Sequence, residues 1–207
     1  MLLSKFSKVL GYSILEVLLV MCLIATISAS STRVFIDPPS LTVGAGDSFM
    51  INVSVSNVTN LYAYQFELYY NSTVMNGTQI IEGSFLESGG PVYFNVVNFT
   101  DHYDSTLGLA SVFCTLTGNV SGVSGGGVLT TIKFKSLALA DSAELHFATV
   151  ELDDRYSSPI PNEDVDATVT VVPEFTSLVA FLVLIASSLL AVIVRKRRVG
   201  SVRLAKR

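Results

Sequence analysis

The sequence predicts an all-β domain, an antiparallel β-sandwich of about eight or nine short strands, and three observations carry that expectation. Apolar residues alternate with polar ones through two neighbouring runs. Phe49, Ile51, Val53 and Val55 alternate with Met50, Asn52, Ser54 and Ser56, then Tyr62, Tyr64, Phe66, Leu68 and Tyr70 with Ala63, Gln65, Glu67 and Tyr69. Gly, Pro, Asn, Asp and Ser clusters punctuate the chain at short intervals between residues 31 and 172, and no helical period runs through that interval.

Taken in order, residues 34–36 and 41–43 are short apolar runs either side of Pro38-Pro39. Gly44-Ala45-Gly46-Asp47 turns the chain into the first alternating run, and a short polar turn joins it to the second, so the two together read as a hairpin. Residues 71–77 read as a loop, residues 78–81 and 92–99 as weaker strands, and residues 107–117 and 128–137 as stronger ones joined by the glycine-rich loop 118–127. Residues 144–150 and 165–172 complete the set, the last with Val165, Ala167, Val169 and Val171 on one face.

The two ends differ from this middle. Residues 1–30 carry Lys5 and Lys8, an apolar run over 17–27 and a small-residue close at Ser28, Ala29 and Ser30, the layout of a signal peptide, whose helix would precede the sandwich. Glu16 at the head of the apolar run, with Gly11-Tyr12 before it, resembles the processing site of type IV prepilins, which leaves a prepilin-like leader as the alternative. Residues 175–194 hold no charge and are long enough, at about 1.5 Å per residue, to cross a hydrocarbon layer of about 30 Å as a helix. The cluster Arg195 to Arg198 opens a basic tail, residues 195–207, and places that end in the cytoplasm and residues 31–172 outside the cell.

Between residues 31 and 172 there are four basic residues, Arg33, Lys133, Lys135 and Arg155, against fifteen acidic ones, a net charge of −11. Such a domain is a poor partner for nucleic acid, which demands clustered cations. Of the two cysteines only Cys114 falls in the domain, so no internal disulfide supports it.

Six sequons, at Asn52, Asn57, Asn71, Asn76, Asn98 and Asn119, account for six of the nine asparagines and predict N-glycosylation, in keeping with secretion. Asp153, Asp154 and Asp164 are candidate Ca²⁺ ligands, with a solvated acidic loop as the alternative; no other cofactor is expected. Gly122-Val123-Ser124-Gly125-Gly126 matches a nucleophile-elbow pattern, but the strand–turn–helix context that makes such a serine reactive is absent, and no enzymatic activity is expected. Gln65, Glu67 and Tyr69 share one outward face and, with Tyr93 and Tyr103, are the candidate binding residues.

The stretch GDSFMINVSVSNVTNLYAYQFELYYNSTVM resembles the opening of cohesin domains, the later GVLTTIKFKS is similar to a cohesin strand, and DATVTV to the terminal strand. The resemblance implies a nine-stranded jelly roll that captures a dockerin module on one sheet face, with a fold shared by carbohydrate-binding modules. Two departures bear on partner choice: Tyr70-Asn71-Ser72 stands in place of Tyr-Asp-Pro, and Ala63 and Gln65 stand where dockerin-binding cohesins often carry Asn and Asp. Pro173-Glu174-Phe175 with the span to residue 194 and its basic cluster resembles the PEF-type sorting signals of archaeal surface proteins, which archaeosortases cut; a plain stop-transfer anchor is the alternative. The expectation is therefore a single-pass, surface-anchored module holding a dockerin-type protein. The alternatives are a carbohydrate-binding module, with a part in polysaccharide breakdown, and a pilin-like or surface-layer subunit.

Overall fold

The computed structural model describes residues 31–173 and 181–190. Among them the strands are β1 (Arg33–Asp37), β2 (Ser40–Gly44), β3 (Ser48–Leu61), β4 (Ala63–Asn71), β5 (Met75–Glu82), β6 (Val92–Thr100), β7 (Leu107–Leu116), β8 (Val123–Ser136), β9 (Ala140–Asp153), β10 (Glu163–Val165) and β11 (Ala167–Val172). One short helix, α1 (Ser84–Glu87), follows β5. The strands form two sheets, sheet A in the order β10-β1-β3-β8-β5 and sheet B in the order β2-β11-β9-β4-β7-β6. The all-β sandwich is thus as the sequence predicts, antiparallel except where β1 lies parallel to β10 and β2 parallel to β11.

Alternation decides which side chains enter the core. Ile51, Val53 and Val55 of β3, and Tyr64, Phe66, Leu68 and Tyr70 of β4, are all buried, while Met50 is 57% exposed. The expected hairpin is not there. β3 pairs with β1 and β8 in sheet A, and β4 pairs with β7 and β9 in sheet B, so the two runs face each other across the core. The physical reason lies between them. Asn57 and Asn60, at φ of 56° and 58°, sit beside irregularities that let β3 stay paired with β8 as far as Leu61. By the next residue the chain belongs to sheet B, since the Tyr62 N–H donates to the Asp153 carbonyl at 2.8 Å.

Among the described residues there are eleven strands rather than eight or nine, and two short breaks in the chain also change the sheet. Pro38-Pro39 separates β1 in sheet A from β2 in sheet B, because proline has no N–H for a ladder. Residues 165–172, expected as one strand, break at Asp166 into β10 in sheet A and β11 in sheet B. Residues 75–77 and 123–127, expected as loops, are instead strand, and α1 inserts Phe85 and Leu86 into the core. Gly83 makes that insertion possible, since a Cβ there would lie 2.3 Å from the Val128 carbonyl oxygen.

The core is aromatic at one end. Phe134 on β8 is fully buried, stacks on Phe49 at 5.6 Å between ring centroids and meets Tyr70 edge-on at 5.0 Å. Cys114 is buried in the core on β7, opposite Tyr64, and burial pushes its thiol up to about 11. Since the thiolate is the reactive form, iodoacetamide at pH 8 is expected to leave Cys114 unmodified in the folded chain and to label it once urea is added. Peptide mapping reads this separately from Cys22; labelling at equal rates in both conditions would contradict the placement.

The remaining terminal expectations fall mostly elsewhere. The leader, residues 1–30, lies outside the described residues, as do Glu174 and Phe175 of the sorting motif. Residues 181–190, within the expected span 175–194, are helical and exposed. Among the described residues no helix is long and apolar enough to cross a membrane.

Candidate functional site

The outward face of sheet B gathers the residues expected to bind. β4 runs through its middle, and its register places three rows of side chains across the face. Gln65 lies between Phe113 of β7 and Glu151 of β9, Glu67 between Ser111 and Thr149, and Tyr69 between Leu109 and His146. Opposed residues of an antiparallel pair point to the same side, so these rows are one surface. Gln65, Glu67 and Tyr69 therefore share one outward face.

Local bonds give the face its shape. The Gln65 Nε2 donates to Glu151 Oε2 at 2.5 Å, bridging β4 to β9. A shallow depression of about 230 Å³ is lined by Gln65, Glu67, Val97, Ser111 and Thr149, and a second of about 310 Å³ by Tyr69, Asn71, Glu144 and His146. Tyr103 leans on Tyr69 with ring centroids 5.3 Å apart, so these two of the expected aromatics form a pair, while Tyr93 stands exposed opposite Thr115. Leu109 points outward yet is only 4% exposed, and it lies outside the main core. The 101–106 loop folds back over this end, with the Tyr103 and Asp104 N–H groups donating to the Leu107 carbonyl.

The charge of this face is one-sided. Glu67, Glu144 and Glu151 lie on it, whereas Lys133 and Lys135 are on β8 in the other sheet, Arg33 on β1 and Arg155 in the loop after β9. His146 is the exception, and it is held by Asp166. Asp166, at the crossing between β10 and β11, accepts the Phe147 N–H through Oδ1 at 2.9 Å and places Oδ2 2.7 Å from His146 Nδ1. That hydrogen bond, reinforced by the charges of Asp166, Glu144 and Asp164, raises the His146 pKa against the opposing effect of burial.

The raised value means that the protonated ring is favoured in the folded state. Its contribution is complete below the unfolded value of about 6.5 and is lost as pH rises through the folded one. With the ring half exposed the gain in stability is small, so the titration itself is the readout. The His146 ring proton resonances are expected to titrate with a midpoint above 6.5, and Asp166→Asn to bring that midpoint down. An unchanged midpoint in the variant would remove Asp166 as the cause.

The acidic residues proposed for Ca²⁺ are not gathered. Asp154 closes a turn, its Oδ1 accepting the N–H groups of Tyr156 and Ser158 at 2.8 and 2.9 Å, Asp153 ends β9 and Asp164 sits on β10. Among the described residues the set of close donors is instead Glu144, His146 and Asp166, whose ligand atoms lie within 4.8 Å of one another. Ser124 of the elbow-like motif lies in β8, and its Oγ accepts the Asn60 N–H at 2.9 Å, a structural use of the hydroxyl. The sequons divide by exposure: Asn57, Asn98 and Asn119 are exposed, Asn52, Asn71 and Asn76 half-buried.

Comparison with known proteins agrees with this architecture. No curated protein matches the sequence. Among solved structures, the non-cellulosomal cohesin from the hyperthermophilic archaeon Archaeoglobus fulgidus is similar at a TM-score of 0.57 and 18% identity, covering 70% of this chain and 94% of that one. The sixth cohesin of the Acetivibrio cellulolyticus scaffoldin B, solved in complex with a dockerin, is similar at 0.55 and 19%, covering 69% and 100%. A type I cohesin–dockerin complex from Clostridium thermocellum is similar at 0.55 and 16%, covering 69% and 99%. The cohesin domain family model matches residues 34–172, two thirds of the chain and the whole of both sheets from Val34 to Val172, and the chain therefore belongs to the cohesin domain family.

Proposed function

We propose that the outward face of sheet B, centred on Gln65, Glu67 and Tyr69, docks a dockerin-type protein module without covalent chemistry, and that the chain holds this module at the cell envelope. The observation that carries the reading is the register of β7, β4 and β9, which sets polar and aromatic side chains in rows on an open, four-strand-wide surface. Two solved relatives were captured with dockerins, which supports a protein partner. The excess of carboxylates on the face favours a partner with lysines or arginines on its docking surface, since complementary charge guides encounter and register. The aromatic pair Tyr69–Tyr103 is the natural anchor, because tyrosine supplies contact area at low conformational cost. The charge-free run 175–194 and the basic cluster behind it support a membrane tether, retained or exchanged by an archaeosortase.

The test is capture on the immobilised full chain in mild detergent. Secreted proteins of the producing cells and an insoluble polysaccharide are offered separately. Retention of a protein whose sequence carries dockerin repeats supports the reading. Retention on polysaccharide alone, lost in Tyr69→Ala and Tyr103→Ala, would replace it with a carbohydrate-binding function.

A further inference from the structure

We propose that Asn98 is an N-glycan attachment point whose occupancy covers the docking face, so that the glycosylated and partner-bound forms exclude each other. The proposal rests on the docking reading for its consequence, but its placement is independent. Asn98-Phe99-Thr100 is a sequon on β6, the outermost strand of sheet B. Its orientation follows from the register. Phe99 opposes Ala110 and packs against the core, whereas Asn98 opposes Ser111, which points outward. Asn98, Ser111, Glu67 and Thr149 thus make one row across four strands. With strands about 4.8 Å apart, Asn98 stands roughly 10 Å from Glu67.

The irregularity between Val96 and Asn98 strengthens the case. It sets Val97 beside Asn98 and into the lining of the same depression as Gln65, Glu67, Ser111 and Thr149. A sugar chain leaving Asn98 therefore starts at the rim of that depression. Among the described residues β6 pairs with no strand on its outer side, and the Asn98 carboxamide is exposed to a transferring enzyme. The other exposed sequons are placed differently. Asn57 lies near the end of β3 in sheet A, and Asn119 lies in the loop between β7 and β8, where Arg155 meets its side chain. Asn52 also belongs to sheet A, and its Oδ1 accepts the Thr131 hydroxyl at 2.7 Å.

The step needs an oligosaccharide carried on a lipid phosphate or diphosphate. The bond from Asn98 Nδ2 to the anomeric carbon forms, the bond from that carbon to the phosphate oxygen breaks, one Nδ2 proton is given up, and the lipid phosphate leaves with the bonding pair. The product keeps the backbone of β6 unchanged and adds a bulky, hydrated group. A docked partner would have to strip water from those hydroxyls without replacing their hydrogen bonds, which opposes docking.

The experiment compares the full chain made in insect cells with Asn98→Gln and, as a control, Asn119→Gln. Glycopeptide mass spectrometry reads occupancy, and carbodiimide coupling of glycine ethyl ester reads the accessibility of Glu67 and Glu151. Asn98 is expected to be occupied, and labelling of Glu67 to fall about threefold relative to Asn98→Gln, with Asn119→Gln like the parent. Enzymatic removal of the glycans from the parent chain is expected to restore the labelling, which covers the case of a misfolded variant. An empty Asn98, or equal labelling with and without its glycan, overturns the proposal. Labelling involves no partner, so a failure of dockerin capture by Asn98→Gln counts against the docking reading alone.

Discussion

Replacing Phe134 by alanine is expected to cost about 3–5 kcal/mol of folding stability, a large share of the 5–15 kcal/mol typical of a domain. Phe134 sits where both sheets meet. It belongs to β8, the strand that pairs with β3 on one side and β5 on the other, and its ring is packed against Phe49 and against Tyr70 from the opposite sheet. Truncation removes the ring's transfer free energy and leaves a void whose walls are other rigid rings, so little of the loss is recovered by collapse. For a domain of this size the midpoint of thermal unfolding should fall by about 10 °C. Circular dichroism at the β-sheet band checks this, and a fall of only about 2 °C would mean that the aromatic end of the core is packed otherwise.

Glu67→Lys is expected to weaken capture of a dockerin-type partner about 30-fold or more while leaving the fold intact. Glu67 occupies the central row, half-exposed, and its side chain takes no part in the core. Reversing its charge sets a lysine against the cations expected on the partner, and like charges brought together at an interface cost several kcal/mol. The Gln65–Glu151 bridge remains, so the flanking row keeps its shape. Calorimetry with the captured dockerin, at low and high salt, is the measurement. A loss that salt relieves supports the acidic face as the guide, and an unchanged affinity would move the docking surface elsewhere. Thermal unfolding of the variant should stay within about 2 °C of the parent, since surface changes of this kind rarely exceed ±0.5 kcal/mol.

What was legible in the sequence is the side on which each residue stands. Alternation through residues 49–55 and 62–70 correctly separated Ile51 and Phe66, which are buried, from Gln65 and Glu67, which face outward. Alternation is silent on which strand lies alongside, and this is why the hairpin expectation failed. An apolar stripe is buried equally well beside its neighbour in one sheet or opposite it in two. The crossing at Asp166 was hidden for the same reason. Val165, Ala167, Val169 and Val171 keep a continuous period of two through the break, so no local feature marks the change of sheet. The pairing of Asp166 with His146, twenty positions apart, depends on that crossing and on the β9–β11 ladder, neither of which composition or spacing reveals. Leu109 illustrates the converse: its outward parity was readable, its burial on the outer face was not.

The opening and closing strands lie side by side twice, Arg33 against Glu163 in one layer and Leu41 against Val169 in the other. A ribosome that has released the chain only as far as Ile160 has therefore made two ribbons without their companions, and neither layer can be sealed at that stage. Loop closure over more than a hundred residues comes last and slowly. Completion of both layers must then wait for residues 163–172, although the nine earlier strands have already been made.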